Sequence, residues 1–521
     1  MKNIILRCLI LLICVQINNI VFAYDFEVDG IYYNNISDKQ GNKLEVTNYS
    51  DSYNSRIKYS DTIIIPENIN YGNREYSVTG IGDNAFRYCE DLLLVIIPNT
   101  VTNIGEESFK SCYGLKSVDI PNSVTNIGES AFSGCKSLTS LSIPNSVTSI
   151  GESAFDECSG LKSVDIPNSV LSIGKSVFYG CRGLTTLSIP NSVTSIGESA
   201  FSDCSGLTSV DIPNSVLSIG ESAFWGCSGL MTLSIPNSVT SIGESAFSGC
   251  SGLTSVDIPN SVLSIGRTAF SDCIGLTEVT IPNSVTSIGE VAFFNCEKLV
   301  EVFFNVENCI EAGNSSYPVF LNCTSLKKVS FGNGVKNIPD FVFYGCSNLT
   351  SIVIPNGVMS VGSYAFYGCN GLTEVHIGQS VKNIGRYAFG GIARLAKIYS
   401  LNPIPPTCAD ETVFSGVNKD KCAVYVPIGT SEDYKLTYVW WDFNNIIEKE
   451  LSSVEENVIE ETDVIVRDGD IIINANNEMF VEVYTLNGSL VFRGNDKFIS
   501  NLSSGIYVVK LNNKSYKVKV W

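Results

Sequence analysis

The sequence predicts a mainly β repeat solenoid of short parallel strands joined by 3₁₀ or helical turns, followed by a small C-terminal β-sandwich-like domain. Three observations carry this reading. The stretch Ile-Pro-Asn-Ser-Val-Thr-Ser-Ile-Gly-Glu-Ser-Ala-Phe occurs unchanged at 143–155, 189–201 and 235–247. Prolines at Pro98, Pro121, Pro144, Pro167, Pro190, Pro213, Pro236, Pro259 and Pro282 keep a step of 23 residues, the mark of stacked units sharing one long core. From residue 470 that period gives way to short alternating strands around Asn487-Gly488, a strong hairpin signal.

The elements follow in chain order. Lys2 and Arg7 precede an apolar run at 9–15, and Val21-Phe22-Ala23 suits cleavage, so 1–23 reads as an export signal. Gln16, Asn18 and Asn19 interrupt the run, which disfavours a membrane anchor, and no later segment is long and apolar enough to span a bilayer. Residues 24–75 are polar, aromatic and irregular, an N-terminal cap for the open end of a solenoid. The step from Pro66 to Pro98 exceeds the period by nine residues, expected as a loop near 70–77.

The repeats occupy 76–398. In one rung Phe109, Cys112, Leu115, Val118, Ile120, Val124 and Ile127 face the core. Val118 and Ile120 point to one side of a strand and Asp119 to the other. Pro121-Asn122 is expected at the centre of a turn. Gly128 permits a backbone shape that a side chain would hinder, and 130–135 is expected as a helical or 3₁₀ turn on the convex side. Phenylalanines recur once per rung from Phe86 to Phe389. At a strand spacing of about 4.8 Å, fourteen such rungs make a rod or arc roughly 65 Å long. A step of 27 between Phe293 and Phe320 places a bulging loop near 307–316, with Cys309 in it. Residues 399–448, with Trp440 and Trp441, read as a C-terminal cap, 449–469 as an acidic linker, and 470–521 as the separate β domain.

Charge and composition restrict the function. Lys and Arg total 34 against 53 Asp and Glu, a net charge of −19, which argues against nucleic acid and against an anionic membrane surface. Histidine occurs once, at His376, so catalysis by a His base or a multi-His zinc site would rest on that residue. No C-x-x-C spacing is present, and no metal or other cofactor is expected.

The repeated unit Ala-Phe-x-x-Cys-x-x-Leu-x-x-Val-x-Ile-Pro-Asn-Ser-Val-x-x-Ile-Gly, with Leu-Lys-Ser-Val-Asp-Ile at 115–120 as one strand region, resembles the BspA-type leucine-rich repeats of bacterial surface proteins over about 81–392. The C-terminal residues Val483-Tyr484, Leu486-Asn487-Gly488, Leu490-Val491, 502–510 and Lys517-Val518 resemble a type A sorting domain of the type IX secretion system of Bacteroidetes. These resemblances imply export by that machinery, display on the cell surface or release, and an adhesin-like role toward host proteins or other bacteria.

Several side-chain columns are candidates for that role. Thirteen cysteines from Cys89 to Cys369 recur once per rung. Their odd number and shared direction favour buried thiols over disulfides. Cys408 and Cys422 lie outside the column and are open to pairing or not. Glu106, Glu129, Glu152, Glu198, Glu221, Glu244 and Glu290 form a solvated row broken by Lys175 and Arg267, which relieve its repulsion. Asp119, Asp165, Asp211 and Asp257 alternate with Ser142, Ser188, Ser234 and Thr280 at the outward strand position, the mark of a duplicated two-rung unit. This stripe is the candidate binding face, with Phe304 and His376 expected at the same outward slot. Asp residues two rungs apart lie about 10 Å from each other, but a flat repeated stripe makes no pocket, so catalysis is not expected. The reading is a secreted surface protein that binds partner proteins. A glycan-handling enzyme accessory and a structural spacer are the alternatives.

Overall fold

The computed structural model describes residues 24–451 apart from 38–40, 50–58 and 310, and, beyond them, 464–467, 470–473, 481–485, 490–494, 498–499, 502, 505–511 and 514–520. The export signal, most of the acidic linker and the Asn487-Gly488 turn lie outside the described residues.

Each rung has three sides. The first is a short strand, such as Ser140–Ser142, Ser163–Asp165, Thr186–Ser188 or Ser209–Asp211, paired in parallel with the next. The chain then turns, but one residue later than the sequence suggests. Val124 N–H donates to Pro121 O at 3.0 Å, so Asn122 and Ser123 are the central residues. Pro121 has no N–H, which ends the strand, while its carbonyl closes the turn. The second side is a ladder of two-residue parallel strands, Asn126–Ile127, Ser149–Ile150, Ser172–Ile173 and onward. The sequence placed Ile127 in the core without indicating this ladder.

The third side, expected as a helical or 3₁₀ turn, is a succession of turns with bonds three residues apart: Ala131, Ser133 and Cys135 donate to Gly128, Ser130 and Phe132. Ser130 and Gly134 have φ of 52° and 75°, and a left-handed residue every few positions prevents a helix from propagating. These turns also bond rung to rung, with Phe132 N–H donating to Ala154 O at 2.8 Å.

Inside the three walls runs one core, from Phe26 to Phe443. From Phe86 to Phe414 the phenylalanine rings lie 4.9–5.7 Å apart with planes within 15°, an offset stack. The cysteine column consists of buried thiols. From Cys112 to Cys296 each Sγ donates to the carbonyl of the phenylalanine 26 residues earlier, at 3.0–3.3 Å. The thiols thus satisfy backbone acceptors as well as filling space. The glycine column sets how closely rungs approach: a Cβ on Gly151 would lie 2.4 Å from Glu129 N.

Both ends are closed by aromatic residues. Phe26–Val28, Ile31–Asn35 and Lys43–Thr47 form an antiparallel meander whose last strand pairs with Arg74–Ile81. The expected loop near 70–77 is a hairpin of Asn68–Tyr71 with Arg74–Ile81, turning at Gly72 with φ of 63°. Tyr59 packs on Phe86 at 4.7 Å and its hydroxyl donates to Thr47 O. At the other end the first ladder continues through Lys397–Ser400, Ala423–Val426 and Asn445–Glu448. Trp440, fully buried, meets Phe414 edge-on at 5.3 Å, and its Nε1 donates to Pro406 O. Cys408 and Cys422 form no disulfide.

The C-terminal strands form a three-stranded and a four-stranded antiparallel sheet, with Ile471, Val481, Val483, Ile499, Tyr507 and Val509 in a separate core. Val464–Arg467, within the expected linker, is a strand paired with Asp470–Ile473.

Candidate binding face

The outward column of the first ladder is built by register. Ser142 pairs with Asp165, Asp165 with Ser188, Ser188 with Asp211, Asp211 with Ser234 and Ser234 with Asp257. Asp119 and Thr280 hold the same slot at either end, and all eight side chains are exposed. A second exposed column runs beside it, through Ser117, Ser140, Ser163, Thr186, Ser209, Thr232 and Ser255. On the other side of the Asp/Ser column an open groove of about 540 Å³ is lined by Asp165, Ser188 and Asp211 together with Asn168, Asn191 and Asn214. The stripe therefore joins a row of asparagine amides, which the outward pattern alone did not indicate. It forms no enclosed pocket, and among the described residues no three His, Cys, Asp or Glu side chains are grouped to hold a metal.

Past Thr280 the column changes character. Phe304 was expected outward, but Thr280 pairs with Phe303 and Ile281 with Phe304. Strand alternation from Val302 puts Phe303 in the outward slot and Phe304 in the core, where it meets Phe331 and Phe343 edge-on. Farther on, Val353, His376, Tyr399 and Tyr425 occupy the slot in register. His376 stacks on Tyr399 at 4.4 Å, Tyr399 stacks on Tyr425 at 4.8 Å, and Lys449 Nζ lies over both tyrosine rings at 5.7 and 5.4 Å.

His376 is therefore half-buried within an aromatic run rather than freely exposed. Burial lowers its pKa, partly offset by Glu374, whose Oε1 lies 3.8 Å from Nε2. The sequence reading missed Tyr399 and Tyr425. Their signal was available in phase: Lys-Ile-Tyr-Ser at 397–400 repeats Glu-Val-His-Ile at 374–377.

The row of glutamates behaves as charge balance requires. Lys175 reaches Glu198 at 2.8 Å, and Arg267 sits 3.6 Å from both Glu244 and Glu290. Such solvent-exposed pairs contribute little to stability.

Comparison with known proteins agrees with this architecture. The profile of the BspA type leucine rich repeat region matches residues 79–208, 171–300 and 314–418. Among solved structures, a leucine-rich repeat protein from Bacteroides ovatus is 29% identical, with a TM-score of 0.58, over 82% of this chain and 100% of that one. A leucine rich cell surface protein from Faecalibacterium prausnitzii is also 29% identical, with a TM-score of 0.39, over 72% and 94% of the two chains. The pneumococcal vaccine antigen PcpA is 19% identical, with a TM-score of 0.47, over 82% and 98%. No curated protein matches the chain.

Proposed function

The chain belongs to the BspA-type leucine-rich repeat family, and on that premise we propose that it is an exported cell-surface protein that binds other proteins through the outer face of its first ladder. The observation that supports this most directly is the exposed Asp/Ser column beside a Ser/Thr column, both fixed in register on a dry core. Such a face presents many small polar contacts whose geometry is set before the partner arrives, so little ordering entropy is lost on binding. The aromatic run from His376 to Tyr425 adds larger anchors at one end, the residue types that dominate interface energetics.

The partners that suit this reading are host extracellular-matrix proteins or surface proteins of other bacteria. No helix among the described residues is long and apolar enough to cross a membrane, so attachment or release would depend on the C-terminal strands, which we assign to type IX sorting. Deleting 465–521 should then leave the protein in the periplasm, and surface display by the truncated chain would refute that assignment.

Binding is tested with the immobilised chain against a panel of matrix and salivary proteins. A ligand should be lost on converting Asp165, Asp211 and Asp257 to Lys and kept on converting Glu106 and Glu129 to Lys. A panel that yields no ligand, or a ligand indifferent to the first set, would overturn the reading. Hydrolysis of a glycan panel would favour an enzymatic role instead.

A further inference from the structure

The bonding that ties each rung to the next fails on all three sides together at one place. Among the described residues no backbone hydrogen bond joins the turn of Phe320 to that of Phe343, whereas Phe293 N–H donates to Val319 O and Phe343 N–H to Ala365 O, both at 3.0 Å. Lys328–Phe331 pairs with Glu301–Phe304 but not with Ser351–Ile354. Glu311–Ala312 pairs with Ser287–Ile288 but not with Asn337–Ile338. The thiols of Cys323 and Cys369 donate to the carbonyls of Phe293 and Phe343, while that of Cys346 makes no such bond to Phe320. Elsewhere pairing lapses on one side at a time, as between Ser117–Asp119 and Ser140–Ser142, where Phe109 N–H still donates to Ala131 O at 2.7 Å.

Proline and glycine exchange places at this seam. In neighbouring rungs the residue two before the column phenylalanine has positive φ, 48° at Val291 and 58° at Phe341, and its N–H donates to the next rung. Pro318 holds that position, where the ring fixes φ at about −65° and removes the donor. Pro339 holds the position of the column glycine, at which Gly289 and Gly362 donate to Ile265 O and Ile338 O at 2.8 Å. Where the chain itself crosses the seam, the usual Pro-Asn-Ser turn becomes Gly332-Asn333-Gly334, and a fixed φ gives way to a freer backbone. Side chains still cross: Phe320 stacks on Phe343 at 5.5 Å, Phe304 and Phe331 meet Phe343 edge-on at 5.7 and 6.0 Å, and Asn348 Nδ2 donates to Thr324 O. Apolar packing of this kind is largely non-directional, whereas the missing backbone bonds are those that fix an angle.

We propose that the seam is a hinge, about which the rungs before Gly332 and those after Gly334 pivot as two bodies. A few connecting residues absorb such a motion, and here no backbone bond between rungs has to break for it. Room for the motion exists on the first-ladder face, where a cleft of about 320 Å³ is lined by Lys328, Ser330, Phe331, Ser351, Val353 and Pro355 from the two unpaired strands. The Asp/Ser column lies on one body and the stack of His376, Tyr399 and Tyr425 on the other. The hinge therefore sets the angle between the two candidate contact regions, a consequence that rests on the proposed binding role, whereas the hinge itself does not.

Double electron–electron resonance on the full chain tests the proposal, with spin labels carried on unnatural residues so that the native thiols are not used. Thr139, Thr254 and Thr373 are exposed and share one column. Thr139 to Thr254 and Thr254 to Thr373 are each five rungs, roughly 24 Å, and only the second pair spans the seam. The first pair should give one narrow distance distribution and the second a distribution at least about twice as wide, the signature of a body moving about a hinge. Pro318→Ser with Pro339→Gly restores both donors and should narrow the second distribution to the width of the first, with far-UV circular dichroism unchanged. Equal widths for the two pairs in the wild-type chain would overturn the hinge. A second distribution still broad in the folded double variant would overturn its origin in the missing donors. No ligand enters the measurement, so failure of the hinge leaves the proposed binding role standing.

Discussion

Replacing Phe224 by Ala tests the physical basis of the stack. The ring is fully buried and lies between Phe201 and Phe247, 5.4 Å from each. Truncating a buried phenylalanine costs about 3–5 kcal/mol. Two offset-stacked pairs are also lost, at about 0.5–1.5 kcal/mol each, giving a total of about 4–8 kcal/mol. In a solenoid each rung contacts only its neighbours, so this loss should be felt locally. Hydrogen exchange followed by mass spectrometry should show faster exchange across residues 195–255 and unchanged protection near Phe109 and Phe366. Phe224→Leu, which keeps most of the volume, should retain most of the protection. The backbone of Phe224 should not decide the result, because its N–H bond to Ala246 O and its carbonyl contact with Cys250 survive either change. Uniformly faster exchange along the chain, or a loss below about 1 kcal/mol, would show that the phenylalanines are not a nearest-neighbour stack.

Three further outcomes follow from individual positions. Gly220→Ala should destabilise by about 1–3 kcal/mol, because the new Cβ would lie 2.8 Å from Gly197 C and Ile196 O. Gly174→Ala should be near neutral, because Val177 Cγ2 at 3.6 Å is the nearest atom its Cβ would meet; denaturant melts of both variants check the contrast. Burial pushes the thiols of Cys158, Cys204 and Cys250 up to about 12 and that of Cys309 to about 11. Iodoacetamide mapping of the native chain should therefore label Cys309, which is less buried, ahead of the column. For His376 the folded-state pKa is lowered, so the unfolded chain binds more protons just below the ordinary histidine range. Its contribution is full above that range and is lost as pH falls through the folded value. Melts of wild type and His376→Phe at pH 5 and pH 7 should show a smaller loss on acidification in the variant.

Much of this molecule is legible in one rung. Spacing alone assigns Phe109, Cys112, Leu115, Val118, Val124 and Ile127 to the core, and each is buried. Alternation places Asp119 outward, and the fixed period carries that assignment to every copy. Reading fails where the phase within a rung is miscounted or where the decisive bond runs between rungs. Phe304 was misplaced by one residue although the period holds there, since it lies 23 residues after the inward Ile281, and in a strand one residue exchanges core for surface. The second ladder was hidden because Asn126-Ile127 is too short to read as a strand, and only its copies above and below make it one.

The sequence by itself determined that like residues pile on like, because an invariant period with apolar residues at fixed phases can bury them only by stacking. Tertiary structure decided which columns share a face. It brought the asparagines beside the Asp/Ser stripe, gathered His376, Tyr399 and Tyr425 into one stack, and left the alternate leucines exposed beside the second ladder. The reason is that the ladders exist only through hydrogen bonds between neighbouring rungs, and no single repeat contains both partners of those bonds.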